Sequence, residues 1–167
     1  MGKIETVRLY LRELSNTDID GLYLLKSDPQ VTRNYHQPAM NREQCIKKLN
    51  SLIEDISKDQ SYTYSAFTKE DGSFIGMVCL WNLSPETLTG EIGYELLPAY
   101  WSQGYGKEII QPFIHHMHRE FGYKTFTACP AVENLPSNKV LIRSGFEFER
   151  RFREGNHEYN NYIYTIG

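Results

Sequence analysis

Residues 94–108 read Tyr-Glu-Leu-Leu-Pro-Ala-Tyr-Trp-Ser-Gln-Gly-Tyr-Gly-Lys-Glu. A strand ends at Pro98, a loop with two glycines follows, and a helix starts at once. The first amides of a helix have no partner within it, and together with the helix dipole they attract anions. Without side chains at Gly104 and Gly106, a phosphate can approach the N–H groups of Gln103, Gly104, Tyr105, Gly106 and Lys107, and Lys107 adds charge. The stretch lacks both the Gly-Lys-Ser/Thr ending of a nucleotide P-loop and the third glycine of a dinucleotide fingerprint. A tight turn without ligand is the bland alternative. Just upstream, Glu91 and Glu95 stand four residues apart, which places them on one face of a strand, with Gly93 leaving room between them.

The elements that must hold these residues follow from periodicity. Val7, Leu9 and Leu11 alternate with polar residues over 7–13 and predict a strand. Asn16 or Thr17 caps a helix from Asp18 to Ser27, stopped by Asp28-Pro29. The stretch from Asp28 to Met40 reads as irregular and polar-aromatic. Cys45, Ile46, Leu49, Leu52, Ile53 and Ile56 recur at helical spacing between Arg42 and Lys58. Tyr62–Thr68, Phe74–Trp81 and Glu91–Leu97 predict three strands joined by short links, hence an antiparallel meander. Ile109, Ile110, Phe113, Ile114 and Met117 form the buried face of a helix running to Phe121. Pro112 inside it removes a hydrogen bond and predicts a kink. Lys124–Ala131 predicts a strand, Asn134 or Leu135 to Ser144 a short helix, and Phe146–Arg153 with Tyr159–Ile166 a hairpin around Gly155-Asn156. This order predicts an α/β fold: one mixed, mostly antiparallel sheet of about seven strands with helices on both faces.

The chain has 167 residues, 40% of them hydrophobic and 23% charged, with net charge −3. That length, with no Gly/Ser/Pro-rich linker, predicts a single domain over residues 1–167. No dense Lys/Arg run appears, which argues against a nucleic-acid partner. No apolar run approaches the roughly 18 residues of a membrane span, and the N-terminus has no apolar signal core. Three scattered cysteines, Cys45, Cys79 and Cys129, fit neither a disulfide framework nor a zinc module. They suit a reducing, cytoplasmic setting.

A second segment, Asn134-Leu-Pro-Ser-Asn-Lys-Val-Leu-Ile-Arg-Ser-Gly-Phe146, makes the pattern specific. Paired with Trp101-Ser-Gln-Gly-Tyr-Gly-Lys-Glu108, it resembles the GNAT superfamily of acetyl-CoA-dependent N-acetyltransferases. Within that superfamily the chain is similar to the branch that acetylates ribosomal-protein N-termini. Val7-Arg-Leu-Tyr-Leu-Arg-Glu-Leu14, Ser73-Phe-Ile-Gly-Met-Val78 and Gly90-Glu-Ile-Gly-Tyr-Glu-Leu96 match it too, so the resemblance spans about Val7 to Ile166.

The resemblance implies acetyl-CoA as co-substrate and no metal. The loop from Gln103 to Lys107 would hold the pyrophosphate. Leu96 and Leu97 would pair with the pantetheine arm through main-chain groups, where this strand and the next splay apart. Asn134 would contact the cofactor arm, and Ser137 would sit near the sulfur. Two positions depart from the wider pattern: Trp101 begins the loop, and Leu141 occupies the place where many members carry a tyrosine acid.

The reaction implied is direct attack of a primary amine on the thioester, with a protein N-terminus as acceptor. A small amine such as an antibiotic or polyamine, and a non-catalytic acyl-CoA-binding module, are the alternatives. Glu91 and Glu95 are the base candidates; an exposed strand glutamate or an ion pair is the bland reading of each. Ser137 is the candidate acid for the thiolate, or only a helix-terminal serine. Tyr35, His36 and Trp81 line an acceptor groove or merely pack. His115, His116 and His118 look like a metal cluster but lack a third convergent ligand. Cys129 as nucleophile would need a base and an electropositive setting. An edge strand or the C-terminal hairpin is a candidate homodimer surface.

Overall fold

Alternating apolar residues in the strands and a 3.6-residue apolar stripe in the helices fix which faces meet. The computed structural model describes residues 2–167. Its strands are β1 (Ile4–Glu5), β2 (Leu9–Glu13), β3 (Tyr62–Thr68), β4 (Phe74–Ser84), β5 (Thr89–Leu96), β6 (Thr125–Ala128), β7 (Glu147–Glu154) and β8 (His157–Thr165). They form one sheet in the order β1-β2-β3-β4-β5-β6-β8-β7. Every neighbouring pair is antiparallel except β5 and β6, which are parallel. The helices are α1 (Ile19–Ser27), α2 (Pro29–Thr32), α3 (Arg42–Ser57), α4 (Tyr105–Phe121) and α5 (Leu135–Arg143).

Helices cover both faces. On one face Leu9, Leu11, Tyr64, Leu80, Ile92 and Leu96 pack with Ile109, Ile110, Phe113, Ile114 and Met117 of α4. On the other, Met77 packs with Leu22 and Leu25 of α1, Val31 of α2 and Leu49 of α3. Cross-strand partners share a face, so the register Met77↔Glu95, Cys79↔Gly93 and Trp81↔Glu91 puts both glutamates on the α1–α3 side. Among the described residues, no helix is long and apolar enough to cross a membrane.

Four features differ from the sequence expectation. The sheet has eight strands rather than about seven, because the two-residue β1 is too short to leave a periodic signal. Val7 does not share the face of Leu9 and Leu11: it lies between β1 and β2 and is 90% exposed. The stretch after Asp28 is partly helical. The Asp28 side chain accepts from the Gln30 N–H at 2.8 Å and Pro29 opens α2, a favourable first position for proline. A 3-10 turn over Arg33–Tyr35 follows. Finally, β6 stops at Ala128, with Ala131 making only an isolated bridge to Tyr159. Pro130 lies between them and has no N–H for a ladder.

α4 is one continuous span through Pro112. A proline there leaves the Glu108 carbonyl without its helical donor and costs about 3 kcal/mol relative to alanine in a helix interior. Pro112→Ala should therefore stabilise the protein by about 1–3 kcal/mol in urea denaturation. Unchanged or lower stability would mean that the surroundings already compensate for the missing bond.

Candidate active site

The site is built where β5 and β6 part. They pair only over Thr89–Glu91 with Thr125–Thr127, while β5 keeps pairing with β4 as far as Leu96. The Leu97 N–H donates to the Ile75 carbonyl on the β4 side. Main-chain groups alternate along an extended strand, so those of Ile92, Tyr94 and Leu96 face the gap. Two of these carbonyls are already taken: Tyr94 O accepts from the Tyr35 hydroxyl at 2.8 Å, and Leu96 O from the Trp101 indole N–H at 2.8 Å. The Tyr94 and Leu96 N–H groups remain on this open edge, a ready partner for an extended amide-bearing arm.

The loop after β5 ends in an anion cradle. Gly104 has φ +83°, a left-handed conformation suited to glycine. The first helical bond of α4 runs from Glu108 N–H to Gly104 O, so the amides of Tyr105, Gly106 and Lys107 have no backbone acceptor among the described residues. Lys107 is exposed beside them. These orphan donors fit a pyrophosphate. Gly106 serves a different purpose from the one expected of it: a Cβ there would meet Val140 Cγ1 of α5 at 3.0 Å and Tyr94 Cε2 at 3.5 Å. It lets α4, α5 and β5 approach each other, while Gly104 shapes the turn.

Arg8, which the sequence did not single out, holds this loop. Its Nη2 donates to Gln103 O at 2.9 Å, its Nε to Glu108 Oε1 at 2.8 Å, and its guanidinium lies 3.9 Å from the Tyr105 ring centre. Burial pushes the Glu108 carboxyl up. Hydrogen bonds from Thr6 and from the Arg8 backbone and side chain outweigh it, so the group sits below its ordinary 4.5.

Across the gap, Asn134 caps α5, its Oδ1 accepting from the Ser137 N–H at 3.4 Å. Burial raises the Tyr94 phenol above its ordinary 10, and the nearby Ser137 side chain opposes that rise. Asn138 fixes the turn into α5. Its Nδ2 donates to Ala131 O and Asn134 O, and its Oδ1 accepts from Asn160 Nδ2 and the Tyr162 hydroxyl. Leu141 is buried in the core.

The two glutamates differ in their partners. Glu95 Oε1 is 2.5 Å from Lys26 Nζ of α1, a largely buried ion pair. Among the described residues no cation forms an ion pair with Glu91. Burial pushes its pKa up, a weak contact from the Cys129 thiol at 3.9 Å opposes this, and nearby Glu154 adds to it. Trp81 lies opposite Glu91 and is 46% exposed. Burial also raises the Cys129 thiol to about 12, and Sγ donates to Asn161 Oδ1 at 3.1 Å, so it is a protonated thiol rather than a nucleophile. Tyr35 reaches the open edge of β5, whereas His36 turns away to Glu133, 3.2 Å from its Nε2, and stacks on His157. The α4 histidines diverge: His115 is exposed, His116 Nε2 lies 3.0 Å from the Tyr64 hydroxyl, and His118 Nδ1 lies 2.8 Å from Tyr123 O.

A parted parallel strand pair beside an orphan-amide loop is the arrangement the sequence resemblance to the GNAT superfamily implies. Residues 8–147 match the acetyltransferase (GNAT) domain model, and the chain belongs to that family. Its co-substrate is acetyl-CoA, and acetyl transfer in this family needs no metal. The chain is 25% identical over 168 residues to the uncharacterized N-acetyltransferase YoaA of Bacillus subtilis, covering 98% of this chain and 95% of that one. It is 28% identical over 145 residues to the ribosomal-protein-serine acetyltransferase of Escherichia coli, covering 84% and 80%. It superposes on RimL, a ribosomal L7/L12 alpha-N-protein acetyltransferase in complex with coenzyme A, with TM-score 0.89, 20% identity, and 99% and 98% of the two chains covered. The branch resemblance read from the sequence holds.

Because Glu108 titrates below 4.5 in the folded chain, its stabilisation is fully present above about pH 4.5 and is lost as pH falls through the lower folded value. Glu108→Gln should be less stable than wild type at pH 7 by thermal unfolding, with the difference shrinking below pH 4.5. A difference independent of pH would remove the carboxylate's charge from the account.

Proposed function

We propose that the enzyme acetylates the α-amine of a protein or peptide N-terminus. One observation carries this reading: of the two glutamates on the acceptor face of β5, Lys26 neutralises Glu95, which leaves Glu91 as the carboxylate free to meet an ammonium. One carboxylate on β5 without a cation suits one amine; a polyamine or an aminoglycoside calls for several. The similarity to the ribosomal-protein-serine acetyltransferase of Escherichia coli supports the same class of acceptor. The three free thiols suit a reducing compartment, and the reading places the reaction in the cytoplasm.

In this mechanism the amides of Tyr105, Gly106 and Lys107 hold the pyrophosphate, and the open edge at Tyr94 and Leu96 aligns the pantetheine arm and its thioester. Glu91, directly or through a water, takes the ammonium proton. At pH 7 an α-amine with pKa about 8 is roughly a tenth neutral, and a lysine amine only about 0.04%. A carboxylate raised by burial is closer to the pH of the reaction and a better-matched base. The amine nitrogen then bonds to the thioester carbon as the carbon–sulfur bond breaks. Ser137, near the Tyr94 phenol, faces the departing thiolate and donates to it. Tyr94 on β5 thus stands in the region where Leu141 offers no hydroxyl. Glu95 orients Lys26, and Tyr35 and Trp81 border the acceptor entrance.

The test is a panel read by mass spectrometry: a peptide with a free N-terminus, the same peptide blocked at its N-terminus but carrying lysine, and spermidine. Acetylation confined to the free α-amine is the expected result, and turnover of spermidine or lysine alone would overturn the reading. Glu91→Gln should lower kcat/KM about 10²-fold near pH 6.5 and progressively less toward pH 9, where the amine deprotonates unaided. A pH–rate profile parallel to wild type would remove Glu91 from the proton's path.

A further inference from the structure

His36, Glu133 and His157 come from three separate segments: the turn after α2, the connection before α5, and the first residue of β8. One ligand atom from each lies within 4.8 Å of the others. Two imidazoles and a carboxylate form a borderline-soft set suited to zinc-class ions. The spacing fits as well. Two nitrogen ligands on a tetrahedral ion with bonds of about 2.0–2.1 Å stand about 3.3 Å apart. The His36 and His157 rings are nearly parallel, with centres 3.5 Å apart; this separation is close to the required one, and because an imidazole lone pair lies in its ring plane the two rings must tilt toward a shared ion to ligate it. His36 Nε2 lies 3.2 Å from Glu133 Oε1. His36 reaches this position with φ +55°, a left-handed conformation unfavourable for a residue with a Cβ. Tyr159 closes one side, its ring edge-on to His36, and the exposed Glu133 leaves an entry path.

We propose that His36, Glu133 and His157 bind one zinc-class divalent ion, which clamps a strap across the mouth of the cleft. The strap is the turn that carries Tyr35 and His36. Tyr35 is fastened to the open edge of β5 through Tyr94 O. His36 is fastened on the other side of the gap, to the β6–α5 connection and β8. His36 Nε2 is buried without a hydrogen-bond partner; a bound ion would satisfy it, add coordinate bonds to Glu133 and His157, and hold the two walls at a fixed spacing. The ion takes no part in acetyl transfer. It adjusts how readily an acceptor passes the strap.

The experiment uses untagged, full-length protein stripped of metal, titrated at pH 7.5 with Co²⁺ as a visible probe and with Zn²⁺ against a chromogenic chelator. One equivalent of Co²⁺ should give a saturable d–d band that Zn²⁺ displaces. His157→Gln and Glu133→Gln should each weaken binding at least about ten-fold, since even partners outside the coordination sphere contribute that much. Both positions are at least partly exposed, and circular dichroism will verify that the variants fold. His115→Gln, an exposed helix histidine, should bind as wild type does. Absence of stoichiometric binding, or binding unchanged in both ligand variants, overturns the site. Hydrogen exchange at residues 33–37 should slow on metal addition, and binding without that slowing overturns the clamp.

Discussion

The structure depends on the point at which β5 and β6 stop pairing. Parallel hydrogen bonds end at Glu91 and Thr127, yet β5 is still held by β4 for five more residues. One edge of a buried strand is thereby left with main-chain groups unpaired in the middle of the protein. Such groups are costly unless something satisfies them. Side chains take part of the demand, Tyr35 on Tyr94 O and Trp101 on Leu96 O. The remaining N–H groups are what a substrate with amide groups in extended conformation can use. The gap also separates the two working walls, with Glu91 and Trp81 on β5 and β4, and Ser137 with Asn134 on α5.

Packing keeps that gap in place. α4 lies under β5 and presents its orphan amides at the end of the gap, because Gly106 lets Tyr94 and Val140 approach closely. Arg8 ties the loop to β2 at the far side of the sheet, so the anion cradle is anchored at both ends. Asn138 anchors α5 to β8 and to the connection before it, with both of its polar atoms engaged. Electrostatics then divides two chemically identical side chains. Glu95 has an ammonium at 2.5 Å and serves as half of an ion pair. Glu91 has only a weak thiol contact and a nearby acid, and its carboxyl is pushed up by burial.

Local features were legible in the sequence. The β3–β4–β5 meander, the strand–loop–helix around Gly104, the short helix from Leu135 and the hairpin at Gly155 each rest on residues close together in the chain, and each stands in the structure. What escaped depends on long-range pairing. Lys26 and Glu95 are 69 residues apart, and Arg8 and Glu108 are 100 apart. The histidines that converge are not the run on α4, which the helix twist sends to different surroundings, but His36 and His157 from opposite ends of the chain. Tyr94 lay within the motif that attracted attention, but its side chain points to the α4 face, and only the packing against Gly106 and Ser137 reveals that. β1 was invisible because two residues carry no period.

The central claim is that the open edge of β5 and the first turn of α4 together hold acetyl-CoA. Hydrogen exchange with and without acetyl-CoA tests it directly. The account predicts slowed exchange in two places, the amides of Tyr94 and Leu96 and those of Tyr105 to Lys107, with β7 unaffected. Binding of acetyl-CoA that leaves both sets of amides exchanging as before would contradict it.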